Sequence, residues 1–142
     1  MQMKLTKNFS LNEMCRSNTA RLRGLPNTPN AEQIKNLQKL CENVLQPLRD
    51  HLGEAVVINS GFRSQAVNMA VGGAKNSQHM AGEAADIRCK DLLYAKRIYT
   101  WIMDNLQFDQ LILERKGRAI WVHVSYRASG GNRQQALTIH NS

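Results

Sequence analysis

Two of the four histidines in this 142-residue chain stand where chemistry is possible. His79 lies in SQHMAGEAAD, a glycine-flanked loop that runs into a small-residue segment carrying Asp86. Gly82 and the alanines allow close backbone approach, so loop and strand can converge on one point. His123 lies in WVHVSY, a strand by composition, and alternation puts Trp121, His123 and Ser125 on one face with Val122 and Val124 on the other. A histidine turned inward on such a strand must have its ring nitrogens satisfied. Two imidazoles and one carboxylate form a three-ligand set that leaves a fourth position on zinc for water, lowers the pKa of that water and polarises a carbonyl. The spacing from His79 to Asp86 is no standard local signature, however. A structural pair of buried histidines answers the same hydrogen-bonding demand. The other two histidines have ordinary roles: His51 ends a helix as a C-terminal charge partner or cap, and His140 sits in a tail without apolar context.

The elements that must position these residues can be read from periodicity. Asn30 caps a long helix whose apolar positions Ile34, Leu37, Leu40, Cys41, Val44, Leu45 and Leu48 recur at the helical period, with Pro47 marking strain near its end. AVVIN then reads as a short β-branched strand, Ser64 to Ala70 as a short helix ended by Gly72-Gly73, Ala74 to Gly82 as loop, and Ala84 to Ile87 as a buried strand. A second helix is predicted from about Cys89 to Asn105, with Leu92, Leu93, Ile98, Ile102 and Met103 as its core contacts. FDQLILE and IWVHVSY form two strands joined through RKGRA. Residues 1–29 read as a helical or turn segment around Leu11 to Cys15 followed by an irregular stretch, and the tail from Arg127 onward as peripheral, with Ala136, Leu137 and Ile139 packing weakly. The pattern predicts one α+β domain over residues 1–142: a small, mostly antiparallel sheet with helices packed on one face and a zinc site free to form on the other. A strict βαβ repeat is absent, which argues against a doubly wound sheet.

Composition narrows the function classes. A formal charge of +8 draws polyanions of several kinds toward the surface. The basic residues are scattered and the aromatics fall in predicted strands and helices, so a nucleic-acid partner is not expected. Cys15, Cys41 and Cys89 are odd in number and lack a CxxC, which argues against a disulfide framework and a Cys-rich structural zinc site. The N-terminus has no apolar signal core, and no stretch reaches the roughly 18 apolar residues of a membrane span. Synthesis in the cytoplasm without stable membrane insertion is the expectation.

The runs SGFRS, VGGAKNSQHMAGEAADI, FDQLILE and WVHVSY, in this order, resemble the M15 family of zinc peptidases, and more narrowly its phage and prophage branch. That group includes D-alanyl-D-alanine carboxypeptidases and endolysin-type L-alanyl-D-glutamate peptidases, and the resemblance spans nearly the whole chain. It implies Zn2+ held by His79, Asp86 and His123, with Arg63 beside the active site and Phe62 in place of a frequent Tyr. It implies hydrolysis of amide bonds in peptidoglycan stem peptides at the bacterial cell wall; a monomer is expected, and the lack of a signal core suits release through a pore made by another protein. Better-known members carry an acidic residue three positions before the last histidine, where this chain has Ile120; in the phage-like branch the catalytic acid falls on Glu114. A tight turn at Lys116-Gly117 would pair Glu114 with Ala119, about 13 Å of strand from His123, whereas a wider loop through Ile120 would bring it within reach. The alternative is a catalytically inactive, zinc-containing peptidoglycan-binding or structural protein of the same fold.

Overall fold

Helix and strand alternate around one apolar cluster in the computed structural model, which describes residues 3–141. The chain opens with a small hairpin, β1 (Lys4–Thr6) and β2 (Phe9–Ser10), and two short helices, α1 (Leu11–Cys15) and α2 (Asn18–Arg23). Ser10 and Ser17 cap these helices by accepting from the backbone N–H three residues on, at 3.2 and 3.1 Å. The stretch after Cys15, expected to be irregular, therefore holds a helix, and the hairpin is a further addition.

The long helix forms where the apolar period placed it. Asn30 and Gln33 make a reciprocal capping box at the start of α3 (Ala31–Leu40). The rod continues through a π-helical turn, Cys41–Leu45, into α4 (Gln46–Leu52). Pro47 has no N–H to give the preceding turn, and its ring would crowd the carbonyl four residues back in a regular helix. The widened turn just before it accommodates both demands without breaking the rod. Leu37, Leu40, Cys41, Val44, Leu45 and Leu48 are all fully buried.

The main sheet has the strand order β3-β4-β6-β5-β7. Its members are β3 (Ile58–Ser60), β4 (Ala84–Arg88), β5 (Gln110–Lys116), β6 (Ala119–Ser125) and β7 (Gln135–Asn141), and only the β5–β7 pair is parallel. Alternation gives the sheet two different faces. Ala85, Ile87, Leu111, Leu113, Val122 and Val124 point into the core with the apolar stripe of α3–α4 and with Ile98 and Ile102 of α6 (Leu92–Asn105). Asp86, Ile112, Glu114, Trp121 and His123 lie on the opposite face. This is the α+β layout expected from the sequence, helices on one face and the His/Asp cluster on the other.

Several expectations need correction. AVVIN forms a strand only from Ile58. The second helix begins at Leu92, after Asp91 caps it by accepting from the Tyr94 N–H at 2.8 Å. Ile98 and Ile102 are buried and Leu92 packs against the core as expected, but Leu93 is 80% and Met103 40% exposed, and Ala95 completes the buried stripe of α6. The tail is not loosely attached: β7 pairs in parallel with β5 over seven residues, from Gln110↔Gln135 to Lys116↔Asn141. It is an edge strand with few buried side chains, so its backbone ladder, and not an apolar pattern, holds it. His51 stacks on Trp101 at 4.4 Å between ring centroids, a packing role beyond its position at the helix end. The three cysteines are free. Among the described residues no helix is long and apolar enough to cross a membrane.

Candidate metal centre

The sheet supplies two of the three clustered side chains. Asp86 on β4 and His123 on β6 are direct cross-strand partners, which fixes their separation through the backbone ladder. His123 Nδ1 lies 2.9 Å from Asp86 Oδ1. His79 arrives from outside the sheet on a 3-10 turn, α5 (Gln65–Ala70) and the turn Gln78–Ala81 both standing between β3 and β4 in the chain. Ser77 caps this turn by accepting from the His79 N–H at 3.2 Å. Gly82 ends it with φ 76°, and a Cβ there would meet the Gln33 carbonyl at 2.5 Å. The close approach expected of Gly82 is thus a contact with α3 as well as a left-handed turn.

His79 is 3% exposed, and its Nδ1 donates to the Gly61 carbonyl at 2.7 Å. A carbonyl can only accept, so Nδ1 carries a proton and Nε2 is the nitrogen turned to the cluster, 3.4 Å from Asp86 Oδ1. A backbone carbonyl orienting a ring in this way is the usual support of a metal-binding histidine. One donor atom from each of His79, Asp86 and His123 lies within 4.8 Å of the other two. Burial opposes ionisation of Asp86, yet hydrogen bonds and charge from His123 and His79 outweigh it and hold the carboxyl well below the usual range. Two nitrogens and an ionised oxygen, converging from a rigid sheet and a carbonyl-locked turn, fit a divalent ion of the zinc type.

Arg63 closes one side of the cluster. Its guanidinium donates from Nε to Ser60 Oγ at 2.9 Å, from Nη1 to Asn68 Oδ1 at 3.2 Å and from Nη2 to Asp86 Oδ2 at 3.4 Å. The backbone N–H of Arg63 also donates to the His79 carbonyl at 3.0 Å, stitching the arginine loop to the histidine turn. Asn68, for which the sequence offered no chemical role, is buried and spends its amide between Arg63 and the Ala74 carbonyl. Its signal was available only as a helix beginning one residue after Arg63, whose first turns could face back to it.

Glu114 reaches the same face by a register shifted from the one a turn at Lys116-Gly117 would give. The β5–β6 hairpin turns at Gly117-Arg118, with Lys116 opposite Ala119, so Glu114 pairs with Trp121 and not with Ala119. Gly117 holds φ 59°, the positive value that the first position of a primed hairpin turn requires. Moving the turn by one residue moves every pair by two, which leaves roughly 7 Å of strand between Glu114 and His123. No wide loop is needed. Trp121 Nε1 donates to Glu114 Oε2 at 3.1 Å, so the tryptophan walls the site. Burial and the negative charge of Asp86 push the Glu114 carboxyl up, with His123, Trp121 and His79 offsetting part of the rise. Gln78 donates to Asp109 at 3.0 Å, a buried carboxylate that no local pattern in the sequence marks.

The Peptidase M15 family model matches residues 7–125 of this chain. The chain is also 50% identical over 44 residues to a zinc D-Ala-D-Ala carboxypeptidase of Streptomyces albus G, a stretch covering 30% of this chain and 17% of that protein. With the match running from the first hairpin to the end of the strand that carries His123, the chain belongs to the M15 peptidase family.

Proposed function

We propose that this protein is a zinc-dependent peptidase that hydrolyses amide bonds in peptidoglycan stem peptides. The observation that carries the reading is the convergence of His79 Nε2, Asp86 Oδ1 and His123 Nδ1 on one point of the sheet face, beside an arginine and a carboxylate. Bound by those three side chains, zinc would supply Lewis acidity to a scissile carbonyl and lower the pKa of water. Glu114 takes the proton of the attacking water and returns it to the leaving amine, from a half-buried position on the same sheet face as His123 and Asp86. Arg63, held at three points, keeps its guanidinium oriented toward the negative charge that develops on the carbonyl oxygen or toward a substrate carboxylate. His79 and His123 present their nitrogens without rearrangement because a carbonyl and a strand ladder hold them.

The substrate class rests on family membership and on the activity for which the Streptomyces relative is named. Glu114 on β5, with Ile120 three residues before His123, supports the phage and prophage branch. The same branch supports action at the bacterial cell wall. Metal analysis paired with mass spectrometry of digested peptidoglycan tests the proposal and identifies the bond, L-alanyl-D-glutamate or D-alanyl-D-alanine. His79→Ala and Asp86→Ala are expected to lose zinc and cleavage together, and Glu114→Gln to keep zinc while losing about 10²–10⁴-fold in kcat. Full activity after chelation overturns the mechanism. Zinc retained by the wild-type chain with no cleavage of any stem peptide identifies the inactive, peptidoglycan-binding alternative.

A further inference from the structure

Asp109 is completely buried, and all of its polar atoms are used. Its Oδ1 accepts from the Arg133 backbone N–H and from Arg133 Nε, each at 3.0 Å. Its Oδ2 accepts from Arg133 Nη2 at 2.8 Å and from Gln78 Nε2 at 3.0 Å, and lies 3.3 Å from Arg127 Nε. On the main chain, the Asp109 N–H donates to the Ser125 carbonyl at 2.8 Å, and its own carbonyl accepts from Gln135 at 3.0 Å. The next residue, Gln110, donates its N–H to Ser125 Oγ at 3.0 Å. Ser125 is two residues beyond His123 on β6, and Gln78 immediately precedes His79.

We propose that Asp109 and Gln78 form a positioning pair that sets the distance of His79 from the sheet-borne ligands Asp86 and His123. The inference rests on the zinc-site reading above and adds residues that make no contact with the metal. Asp86 and His123 are spaced by a strand ladder, so His79 is the one ligand whose position depends on a loop. Asp109 binds the strand that carries His123 through the Ser125 backbone, and binds the turn that carries His79 through the Gln78 amide. Ligands approaching from turn and strand are thereby referred to a single anchor. Gln33 and Asn36 of α3 also hold the turn, donating to the Met80 and Ala81 carbonyls at 3.1 and 2.9 Å. Loss of the Asp109 link should therefore loosen the turn without releasing it.

The test measures zinc affinity by competition with a chromophoric chelator, alongside thermal unfolding of the zinc-free chain. Gln78→Met removes the link and leaves Asp109 with both arginines; it is expected to weaken zinc binding about tenfold, the lower end of what loss of a supporting contact costs a metal site, with zinc-free stability nearly unchanged. Gln78→Ala repeats the measurement without side-chain bulk. Arg133→Ala, with Arg127 still paired to Asp109, is expected to lower stability and keep wild-type zinc affinity. Wild-type zinc affinity in both Gln78 variants overturns the proposal, as does an equal loss in Arg133→Ala, which would mark Asp109 as a general stabiliser. A wild-type chain that takes up no zinc is a different failure, because it removes the zinc-site reading together with the pair built upon it.

Discussion

Glu114 shows how much a single carboxyl depends on its neighbours. In the metal-free chain, burial and the Asp86 charge favour its neutral form, so it binds its proton more tightly than an ordinary glutamate does. The sign follows directly. An acid whose folded pKa lies above its unfolded value destabilises the fold at pH values above both, so Glu114→Gln is expected to leave metal-free stability at neutral pH unchanged or slightly higher. A divalent cation held by His79, Asp86 and His123 adds positive charge to the same field and offsets that of Asp86. Carboxyl NMR titration should accordingly find Glu114 raised without zinc and lowered on zinc addition. A Glu114 signal indifferent to zinc would remove it from the site.

Elements, in contrast, are held by polar anchors as much as by apolar packing. Asp109 draws together the start of β5, the end of β6, the segment leading to β7 and the turn before β4. The Arg133 hydrogen bonds, outweighing burial and joined by the Arg127 charge, hold its carboxyl down to about 2 from 3.8. A depressed carboxyl contributes stability that is complete above its unfolded value and is lost as pH falls through its folded value. Between about pH 4 and pH 2, Asp109 should therefore give up roughly 2 kcal/mol of stability. Denaturant titrations of wild type and Asp109→Asn check this: the two curves should converge in that window and separate above it. β7, whose backbone pairs with β5 but whose side chains are largely exposed, should be among the first elements to lose amide protection.

For the whole molecule, the charge of +8 acts at longer range than any contact. Exposed charges are screened within about 10 Å at 0.1 M salt, whereas the buried cluster of His79, Asp86 and His123 is protected from screening. On the proposed function, raising salt should slow digestion of intact, anionic cell walls and leave cleavage of an isolated stem peptide nearly constant. Equal salt dependence on both substrates would show that the field plays no part in recruitment. The resemblance to the M15 family singled out His79, Asp86, His123 and Arg63 together, while the sequence by itself determined what is local: the helical period of α3–α4, the alternation that put His123 opposite the core, and the glycine closing the histidine turn. These follow from side-chain size, polarity and backbone freedom over a few residues. Only the tertiary structure decided the β5–β6 register that brings Glu114 opposite Trp121, the burial of Asn68 against Arg63, the gathering of strands and turn on Asp109, and the parallel seating of β7. Each of these is a hydrogen bond or strand pairing between segments distant in the chain or dependent on the exact turn, and such partners leave no periodic trace in either segment because only the fold brings them together.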